Sequence, residues 1–341
     1  MSSDAYAQSG VDQSAADRAV AALVGVLKTI DIGRSSRSVL ASGHYAAVLE
    51  VAPNLGIAVG TDGVGSKLIL AELTGRYDTV GIDCVAMNVN DVVCVGAEPI
   101  ALLDYLAVEE PNPEVMEQIG LGLKRGAELA GVEIPGGEVA ILPELIRGHP
   151  SPNGFDLTAT CFGTVAIDQI ITGEKIAAGD ALIGLPSSGL HSNSYTLARK
   201  ATEGLPLEGE LADQLLEPTV IYVKAALELI RSDIPVHGLA HITGGGLLNL
   251  NRLNEAAGFE IDDPLPVPAI IELVMERGNV AEQEAWEVFN MGCGFVAIVP
   301  DEHAQAAADL LAGHHPGSRR IGSVTGEAGA ISVPGRYASK S

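Results

Sequence analysis

The hydrophobic residues follow two different spacings, which predicts a mixture of helices and strands. In residues 15–28, Ala19, Val20, Leu23 and Leu27 recur at three- and four-residue intervals, typical of an amphipathic helix. Further helices are predicted at 64–73, 83–95, 113–130, 193–202, 216–231 and 302–311, and strands at 56–61, 99–108, 132–134, 156–167, 181–185, 238–242, 294–299 and 320–324. Because strands and covering helices occur in both halves, the pattern predicts an α/β protein with α+β layering.

A polar segment at residues 168–180 interrupts the pattern. It contains Thr172-Gly173-Glu174-Lys175 and the turn Ala178-Gly179-Asp180. Such a change in composition is typical of a domain boundary. We therefore predict an N-terminal domain at 1–168 and a C-terminal domain at 169–341.

The charge balance excludes several classes of partner. Twenty basic residues stand against 44 acidic ones, so the formal net charge is −24. A surface of that sign repels phosphate backbones and anionic lipid, and we expect neither a nucleic-acid nor a membrane partner. No uncharged apolar run approaches the roughly 18 residues that a membrane span needs. With no signal segment at the N-terminus and four isolated cysteines, we expect a cytoplasmic protein with reduced, buried thiols.

The first motif that could carry chemistry is Gly60-Thr61-Asp62-Gly63-Val64-Gly65-Ser66-Lys67. It lies where a strand leads into a helix, and free N–H groups at such a point can hold phosphate. It is not a Walker A motif, because the order Gly-Lys-Ser/Thr is missing and Asp62 would repel a bare triphosphate. Asp62 would instead suit Mg²⁺ carried by a nucleotide. The alternative is a tight turn with a helix-capping Asp.

The second motif is a polar face on the helix predicted at 83–95. Asp83, Met87, Asn90 and Asp91 share that face. The two carboxylates lie about 12 Å apart, too far to share one ion. These groups either line a cleft or have partners inside the protein, and we favour the cleft. Asp91 is then the metal partner of Asp62, with Asn90 as its hydrogen-bonding neighbour.

Gly136-Gly137-Glu138 follows the short strand predicted at 132–134. The glycines would give a flexible backbone beside one carboxylate. A plain turn explains the same residues.

Three further motifs lie in the second half. Ser187-Ser188-Gly189-Leu190-His191-Ser192-Asn193 precedes a helix and could bind an anion, with His191 as acid, base or cation; a capped helix start with a surface His is the alternative. His241-Ile242-Thr243-Gly244-Gly245-Gly246 turns from a strand into a helix and could bring N–H groups close to a phosphate. For Phe289-Asn290-Met291-Gly292-Cys293-Gly294 we expect only a bulge or close strand packing.

The order of these motifs resembles that of the phosphoribosylformylglycinamidine cyclo-ligase family, also called aminoimidazole ribonucleotide (AIR) synthetases. The resemblance extends from Gly10-Val11-Asp12 to about Thr325. It implies a two-domain AIR synthetase-like fold, with a C-terminal α/β sandwich and a homodimer in which strands of the N-terminal domains form a shared barrel. The implied reaction is ring closure of formylglycinamidine ribonucleotide, driven by Mg·ATP.

The resemblance also implies roles for individual residues. Asp62 and Asp91 would bind the metal and, with Gly63, Gly65, Asn90, Gly137 and Glu138, the nucleotide. The residues implied in catalysis are Lys67, His191 and Asn193, and those implied in substrate binding are Ser188, Ser192, Thr243, Gly244, Gly245 and Gly246.

Three departures from the family pattern leave alternatives open. Ile141 replaces an acidic residue, the loop at 42–46 lacks the usual Phe-Gly-Gly, and the usual lysine near position 24 is Val24, with Lys28 one turn later. The alternatives are another ATP-using enzyme, such as a selenophosphate synthetase or thiamine-monophosphate kinase, and a non-catalytic dimeric nucleotide-binding protein. The motif Ser-Gly-Leu-His-Ser-Asn together with Thr-Gly-Gly-Gly favours the cyclo-ligase.

Overall fold

The computed structural model describes residues 13–40 and 43–339 and confirms the predicted α/β class. The first sheet has five strands in the order β1-β2-β5-β3-β4. Their bounds are Ala47–Ala52 (β1), Leu55–Gly63 (β2), Glu98–Val108 (β3), Glu133–Ile141 (β4) and Phe155–Val165 (β5). All neighbouring strands are antiparallel except β3 and β4, which are parallel.

Four helices accompany this sheet: α1 (Gln13–Leu27), α2 (Leu68–Thr74), α3 (Val80–Cys94) and α4 (Pro113–Ala130). Short 3₁₀ helices lie at Gly65–Lys67 and Ile167–Gln169. Helix α4 has the predicted bounds because its signals are local: the side chain of Asn112 accepts hydrogen bonds from two N–H groups of the first turn, and Gly131 ends the helix at φ +78°. Helix α1 is also confirmed, and the motif Gly10-Val11-Asp12 lies outside the described residues.

Helix α3 is buried along almost its whole length. It packs against β2, β3 and β5 on one side and against α4 on another. A side chain at Gly81 would overlap the backbone nitrogen of Leu123, so the backbones of α3 and α4 touch at this crossing. This close approach sets the distance between α3 and α4.

The face of this sheet that points away from α3 is partly exposed and carries large apolar side chains among threonines. It carries Leu49, Ile57, Val59, Phe162, Leu103 and Tyr105, which occupy matching positions on four neighbouring strands. We call it the outer face. The five strands form an open sheet within the described chain, with β1 and β4 at its edges.

The second sheet has seven strands in the order β12-β11-β8-β10-β6-β9-β7. Its strands are β6 (Ala181–Pro186), β7 (Gly238–His241), β8 (Gly258–Glu260), β9 (Cys293–Val299), β10 (Arg319–Thr325), β11 (Ile331–Val333) and β12 (Tyr337–Ala338). The accompanying helices are α5 (Tyr195–Ala201), α6 (Gly209–Leu216), α7 (Val223–Arg231), α8 (Ala269–Gly278), α9 (Glu282–Val288) and α10 (Ala304–His314), with 3₁₀ helices at Gly246–Arg252 and Asp301–His303. The predicted boundary near residue 168 lies between the two sheets.

Two predicted elements are wrong in extent. The helix predicted at 216–231 begins only at Val223 as α7, because residues 217–222 run in irregular backbone that hydrogen-bonds to side chains of α3; helix α6, which ends at Leu216, was not predicted. The strand predicted at 132–134 continues to Ile141 as β4, so Gly136, Gly137 and Glu138 lie inside a strand and not in a turn.

The structure also bears on the cysteines and on membrane-spanning helices. The four cysteines are free and buried, as predicted. Among the described residues, no helix is both long enough and apolar enough to cross a membrane.

Candidate active site between the two domains

Asp62 lies near the end of β2, on the side of the sheet that faces α3. Asn88 of α3 fixes its backbone by two hydrogen bonds of 3.0 Å, one accepted from the N–H of residue 62 and one donated to its carbonyl. The Asp62 Oδ1 atom accepts a hydrogen bond of 2.7 Å from the N–H of Gly63. Asn88 had no predicted role, although it stands in the second motif.

Asp91 lies in the last turn of α3, and the second domain completes its surroundings. His241 ends β7 and is fully buried, and its Nδ1 lies 2.9 Å from the Asp91 Oδ1 atom. Burial raises the pKa of Asp62 above its ordinary value, and the charge of Asp91 raises it further, whereas the N–H of Gly63, His241 and Arg252 lower it. The structure therefore places Asp62 and Asp91 close enough for their charges to interact, and their role as joint metal ligands stays a prediction.

Arg252 is the cation of this cluster, and no sequence motif pointed to it. Its guanidinium lies 4.3 Å from the ring centre of Tyr45 and donates hydrogen bonds of 3.3 Å to the carbonyls of Gly43 and His44. The Tyr45 hydroxyl donates to the Asn249 carbonyl at 2.9 Å. The loop that departs from the family pattern is thus held against the second domain, although its Ser42 lies outside the described residues.

The glycine turn follows directly after His241. Gly245 and Gly246 have φ values of +103° and +52°, which favour glycine. A side chain at Gly246 would overlap the carbonyl oxygen of Trp286. The Asn249 side chain stabilises the turn by donating to the carbonyl of Gly246 at 2.8 Å, and the Thr243 hydroxyl donates to the Asn249 Oδ1 atom at 3.3 Å.

The Ser187–Asn193 loop meets the glycine turn. The Oδ1 atom of Asn193 lies 3.2 Å from the position a Cβ would take on Gly244. The Nδ2 atom of Asn193 is buried and has no hydrogen-bond partner among the described residues. A buried donor without a partner is costly and suits a ligand that accepts a hydrogen bond.

His191 is buried in this loop and does not match the expected surface or cationic histidine. Its Nε2 accepts a hydrogen bond of 3.2 Å from the N–H of Ser188, whereas its buried Nδ1 has no partner in the described part of the chain. Burial, with the charges of His241 and Lys67, holds its pKa well below the ordinary value. It is therefore a neutral imidazole near pH 7, with its hydrogen on Nδ1.

The serine hydroxyls of the same loop donate to backbone carbonyls. Ser188 donates to Pro218 at 2.6 Å, and Ser192 donates to Val64 at 2.9 Å. The motif near residue 290, for which we expected only strand packing, braces the loop. The side chain of Asn290 accepts from the Ser187 hydroxyl at 2.9 Å and donates to the carbonyl of Gly189 at 2.8 Å.

Lys67 is placed differently from the expected cation beside a nucleotide. It is fully buried and forms an ion pair with Asp83 at 2.7 Å. Its Nζ also donates to the carbonyls of His191 and Glu217 at 3.0 and 2.7 Å. Asp83, predicted to line a cleft, is therefore satisfied inside the protein, because the second domain covers the helix face that carries it.

Asn90 is buried on the same face. Its side chain donates to the carbonyl of Val220 at 2.8 Å and accepts from the N–H of Tyr222 at 2.9 Å. These bonds occupy the amide within the protein, so the expected contact between Asn90 and a nucleotide is not formed by the side chain in this arrangement. Asn90 lies within 3.4 Å of His241 and so remains a neighbour of the Asp91 pair.

Gly137 and Glu138 lie on the edge strand β4, away from this cluster. Asp62, Ala159, Asp104 and Gly137 form one row across the sheet, so Gly137 is three strands, or about 14 Å, from Asp62. Glu138 is exposed beside Tyr105 on the outer face. Asp104, which had no predicted role, lies in the Asp62 row, and burial raises the pKa of its carboxyl.

Together, these elements define a two-domain α/β protein with a polar site where its domains meet. Two carboxylates from the first domain face a glycine turn, a histidine and an arginine from the second. The chain belongs to the AIR synthase related family: the model of the family's N-terminal domain matches residues 43–165, and that of the C-terminal domain matches residues 177–333.

Curated relatives with similar sequences share one name. A phosphoribosylformylglycinamidine cyclo-ligase of Thermococcus kodakarensis is 50% identical over 333 residues, which cover 95% of this chain and 96% of that protein. The Methanothermobacter thermautotrophicus protein of the same name is 48% identical over 331 residues, covering 94% of each chain.

Solved structures with this fold are more distant in sequence. Hydrogenase maturation protein HypE in complex with ATP aligns with a TM-score of 0.62 at 21% identity, covering 86% of each chain. Thiamine monophosphate kinase from Aquifex aeolicus aligns with a TM-score of 0.60 at 17% identity, covering 93% of this chain and 96% of that one. At these identities the likeness concerns the fold alone.

Proposed function

We propose that this chain converts formylglycinamidine ribonucleotide and ATP into 5-aminoimidazole ribonucleotide, ADP and phosphate in de novo purine biosynthesis. The observation that carries this proposal is the 50% identity to a named cyclo-ligase over 95% of the chain, which includes both domains and every motif of the cleft.

The reaction needs ATP because an amide oxygen is a poor leaving group. In the proposed first step, the formyl oxygen of the substrate takes the γ-phosphoryl group of ATP, and ADP is released. A nitrogen of the same substrate then forms the new C–N bond, the C–O bond breaks, phosphate leaves with the oxygen and the nitrogen loses a proton. Holding the two ends of one substrate close together supplies the proximity that ring closure requires.

The carboxylates of Asp62 and Asp91 fit Mg²⁺ carried by the nucleotide. Mg²⁺ in nucleotide sites is held by one or two carboxylates plus phosphate oxygens. Burial raises the pKa of Asp62, so the negative charge of its carboxylate is costly in the folded protein. A bound divalent cation would offset that cost. When bound, the ion would neutralise charge on the phosphates during transfer. The N–H groups near Gly63 and Gly65 would contact the same nucleotide.

The glycine turn and the Ser187–Asn193 loop are proposed to hold the substrate. The unpartnered Nδ2 of Asn193 beside Gly244 is a donor for an acidic or carbonyl oxygen. The backbone N–H of Gly245 would add a second donor, while the Gly246 N–H and the Thr243 hydroxyl hold the turn by donating to the Thr243 carbonyl and to the Asn249 side chain. Ser188 and Ser192 would shape this loop through their bonds to the backbone, and could still accept hydrogen bonds from substrate.

Two residues keep a place in the proposal with altered roles. His191 would act as a neutral donor through Nδ1, since its pKa is too low for a cation. Lys67 would position the His191 loop through its bond to the carbonyl of residue 191.

The outer face supports a homodimer. It presents apolar side chains on four adjacent strands, and a second copy of the chain covering it would remove that surface from water. Gly137 and Glu138 lie at this side of the molecule, so their part in nucleotide binding is proposed to depend on the dimer.

The test is an assay with purified protein, Mg·ATP and formylglycinamidine ribonucleotide. We expect ADP and the aromatic amine of the product, detected by diazotisation, to appear in a one-to-one ratio. Formation of ADP only with a different acceptor, such as thiamine monophosphate or selenide, would assign the chain to one of the other ATP-using activities. Nucleotide binding with no turnover of any of these acceptors would favour the non-catalytic protein.

A further inference from the structure

Asp91 and His241 form a hydrogen-bonded pair across the domain boundary. Asp91 is partly exposed at the cleft, whereas the His241 ring is fully buried behind it. The ring packs beside Phe295, with centroids 6.5 Å apart, and its Nδ1 lies 2.9 Å from the Asp91 Oδ1 atom. One oxygen of the carboxylate is therefore held from the protein side.

Asn90 determines which nitrogen of His241 carries the hydrogen. The Asn90 Oδ1 atom accepts from the N–H of Tyr222, and its Nδ2 donates to the carbonyl of Val220. These two bonds fix the orientation of the amide, so the group that lies 3.4 Å from the His241 Nε2 atom is a donor. The Nε2 atom must then accept, and the hydrogen lies on Nδ1, which donates to Asp91.

The second oxygen of Asp91 has no hydrogen-bond donor among the described residues. The carboxylate, which is 18% exposed, thus has one oxygen fixed by a buried donor and the other open to a ligand. Buried groups that hold a metal-binding carboxylate in this way affect metal affinity without touching the metal.

We propose that His241 is a positioning residue for Asp91 and that it determines how tightly the site holds the cation of the nucleotide. This inference rests on the proposed function, in which Asp62 and Asp91 bind Mg²⁺. His241 is the last residue of β7, and the chain continues from it directly into the glycine turn. One strand of the second domain therefore positions both the Asp91 carboxylate and the turn proposed to bind an anion.

The hydrogen position can be measured without any substitution. Protein labelled with ¹⁵N-histidine gives long-range ¹H–¹⁵N correlations that separate Nδ1–H from Nε2–H imidazoles, and the signal of His241 is assigned by its loss in His241→Asn. We expect the Nδ1–H form. An Nε2–H form would overturn the inference.

The functional measurement is nucleotide binding as a function of Mg²⁺ concentration, with a non-hydrolysable ATP analogue and calorimetry. In His241→Gln, the amide nitrogen cannot take the place of Nδ1, and we expect the Mg²⁺ requirement to rise about 10- to 100-fold. His241→Asn places an amide nitrogen near the Nδ1 position, and we expect it to remain within a few-fold of the parent protein. Equal shifts in the Gln and Asn variants would contradict the inference.

The chain offers a matched control in His237, four residues before His241. Its Nδ1 lies 2.7 Å from the Asp180 Oδ2 atom, so it also forms a histidine–carboxylate pair, at the other end of β7. We expect His237→Gln to leave the Mg²⁺ requirement unchanged, and thermal unfolding shows whether each variant is folded. A His237→Gln shift as large as that of His241→Gln would indicate a general structural effect and overturn the inference.

Asp62→Asn and Asp91→Asn separate this inference from the proposed function. If neither variant changes the Mg²⁺ requirement, the proposed metal site is wrong and the inference falls with it. If both raise the requirement and His241→Gln does not, the metal site stands and the positioning role of His241 is wrong.

Discussion

Lys67 and Asp83 form an ion pair of 2.7 Å that is completely removed from solvent at the contact between the two domains. The Nζ of Lys67 also donates hydrogen bonds to two backbone carbonyls of the second domain. The Oδ1 atom of Asp83 accepts hydrogen bonds from the N–H and the hydroxyl of Thr219. The pair thus connects the end of the first motif, α3, the His191 loop and residues 217–219. A buried ion pair is tolerated when both charges have their partners, whereas removal of one partner leaves a single uncompensated charge in the interior and destabilises the fold.

We predict that Lys67→Met destabilises the protein by about 3–5 kcal/mol, because it leaves the Asp83 carboxylate buried without its cation. Denaturant unfolding measures the effect. Adding Asp83→Asn to Lys67→Met is expected to recover part of the loss. The control is Arg76→Gln, which removes an exposed ion pair with Asp213 and is expected to cost at most about 1 kcal/mol. Similar losses in the Lys67 and Arg76 variants would contradict the prediction.

Asp62→Asn is predicted to weaken Mg²⁺-dependent nucleotide binding while raising the melting temperature of the ligand-free protein at pH 7. Burial and Asp91 raise the pKa of Asp62, so its ionisation destabilises the folded state. The stability contributed by this group is complete below its ordinary pKa of 3.8 and declines as the pH rises through the higher value in the folded protein. The gain from Asn should therefore vanish in acid.

Asp263→Asn is the control of opposite sign, because Arg319 holds the pKa of Asp263 below its ordinary value. We expect it to lower the melting temperature slightly at pH 7. A melting temperature of Asp62→Asn below that of the parent protein at pH 7 would show that Asp62 is compensated within the folded chain.

Stability is predicted to fall as the pH drops below 6.5, partly through His315. Burial, with the charge of His314, lowers the pKa of His315 from 6.5 to about 4. The unfolded chain therefore binds a proton that the folded chain does not, and the contribution of His315 is lost between pH 6.5 and about 4. Melting temperatures across this range should decline less steeply in His315→Gln than in the parent protein. Parallel slopes in His315→Gln and the parent protein would contradict the prediction.

Alanine substitutions at two positions of the glycine turn should have different effects, one on stability and the other on substrate binding. Gly246→Ala is predicted to lose about 1–3 kcal/mol of stability, since its φ is positive and a Cβ would overlap the Trp286 carbonyl. In Gly244→Ala, the new Cβ would instead approach the Asn193 side chain at 3.2 Å. We expect that variant to keep its melting temperature and to show a raised KM for the nucleotide substrate. An unchanged KM would place the substrate away from Gly244.

Leu103→Lys is predicted to convert the proposed dimer into a monomer. Leu103 lies in the centre of the outer face, and a buried lysine there would lack a partner. Light scattering after size exclusion measures the mass. Leu121→Lys changes another exposed leucine, on α4 and outside that face, and should leave the mass unchanged. A parent protein that is itself monomeric would refute the proposed dimer.

Local signals in the sequence were sufficient for several elements. The Asn112 cap, Pro113 and Gly131 determined the limits of α4, and the apolar runs of β3 and β9 indicated strands, of which β9 is completely buried. The strand-to-helix turns at Asp62 and at Gly244–Gly246 were also correctly placed from the sequence, and their service in one shared site stays a prediction. By contrast, β8, β11 and β12 have two or three residues each, too few for a periodic pattern, and they exist through pairing with strands distant in the chain.

The sequence by itself determined the α/β class, the family and the residue types of the site. Only the tertiary structure decided which of those side chains face the cleft. Asp83, Asn90 and Asp91 share one helix face in the sequence, yet docking of the second domain buries the first two and leaves Asp91 partly open. It likewise joins Lys67 to Asp83 and brings Arg252 beside Asp62. These pairings depend on how the two domains pack against each other. The spacing of hydrophobic residues predicts each helix and strand separately and carries no information on that packing.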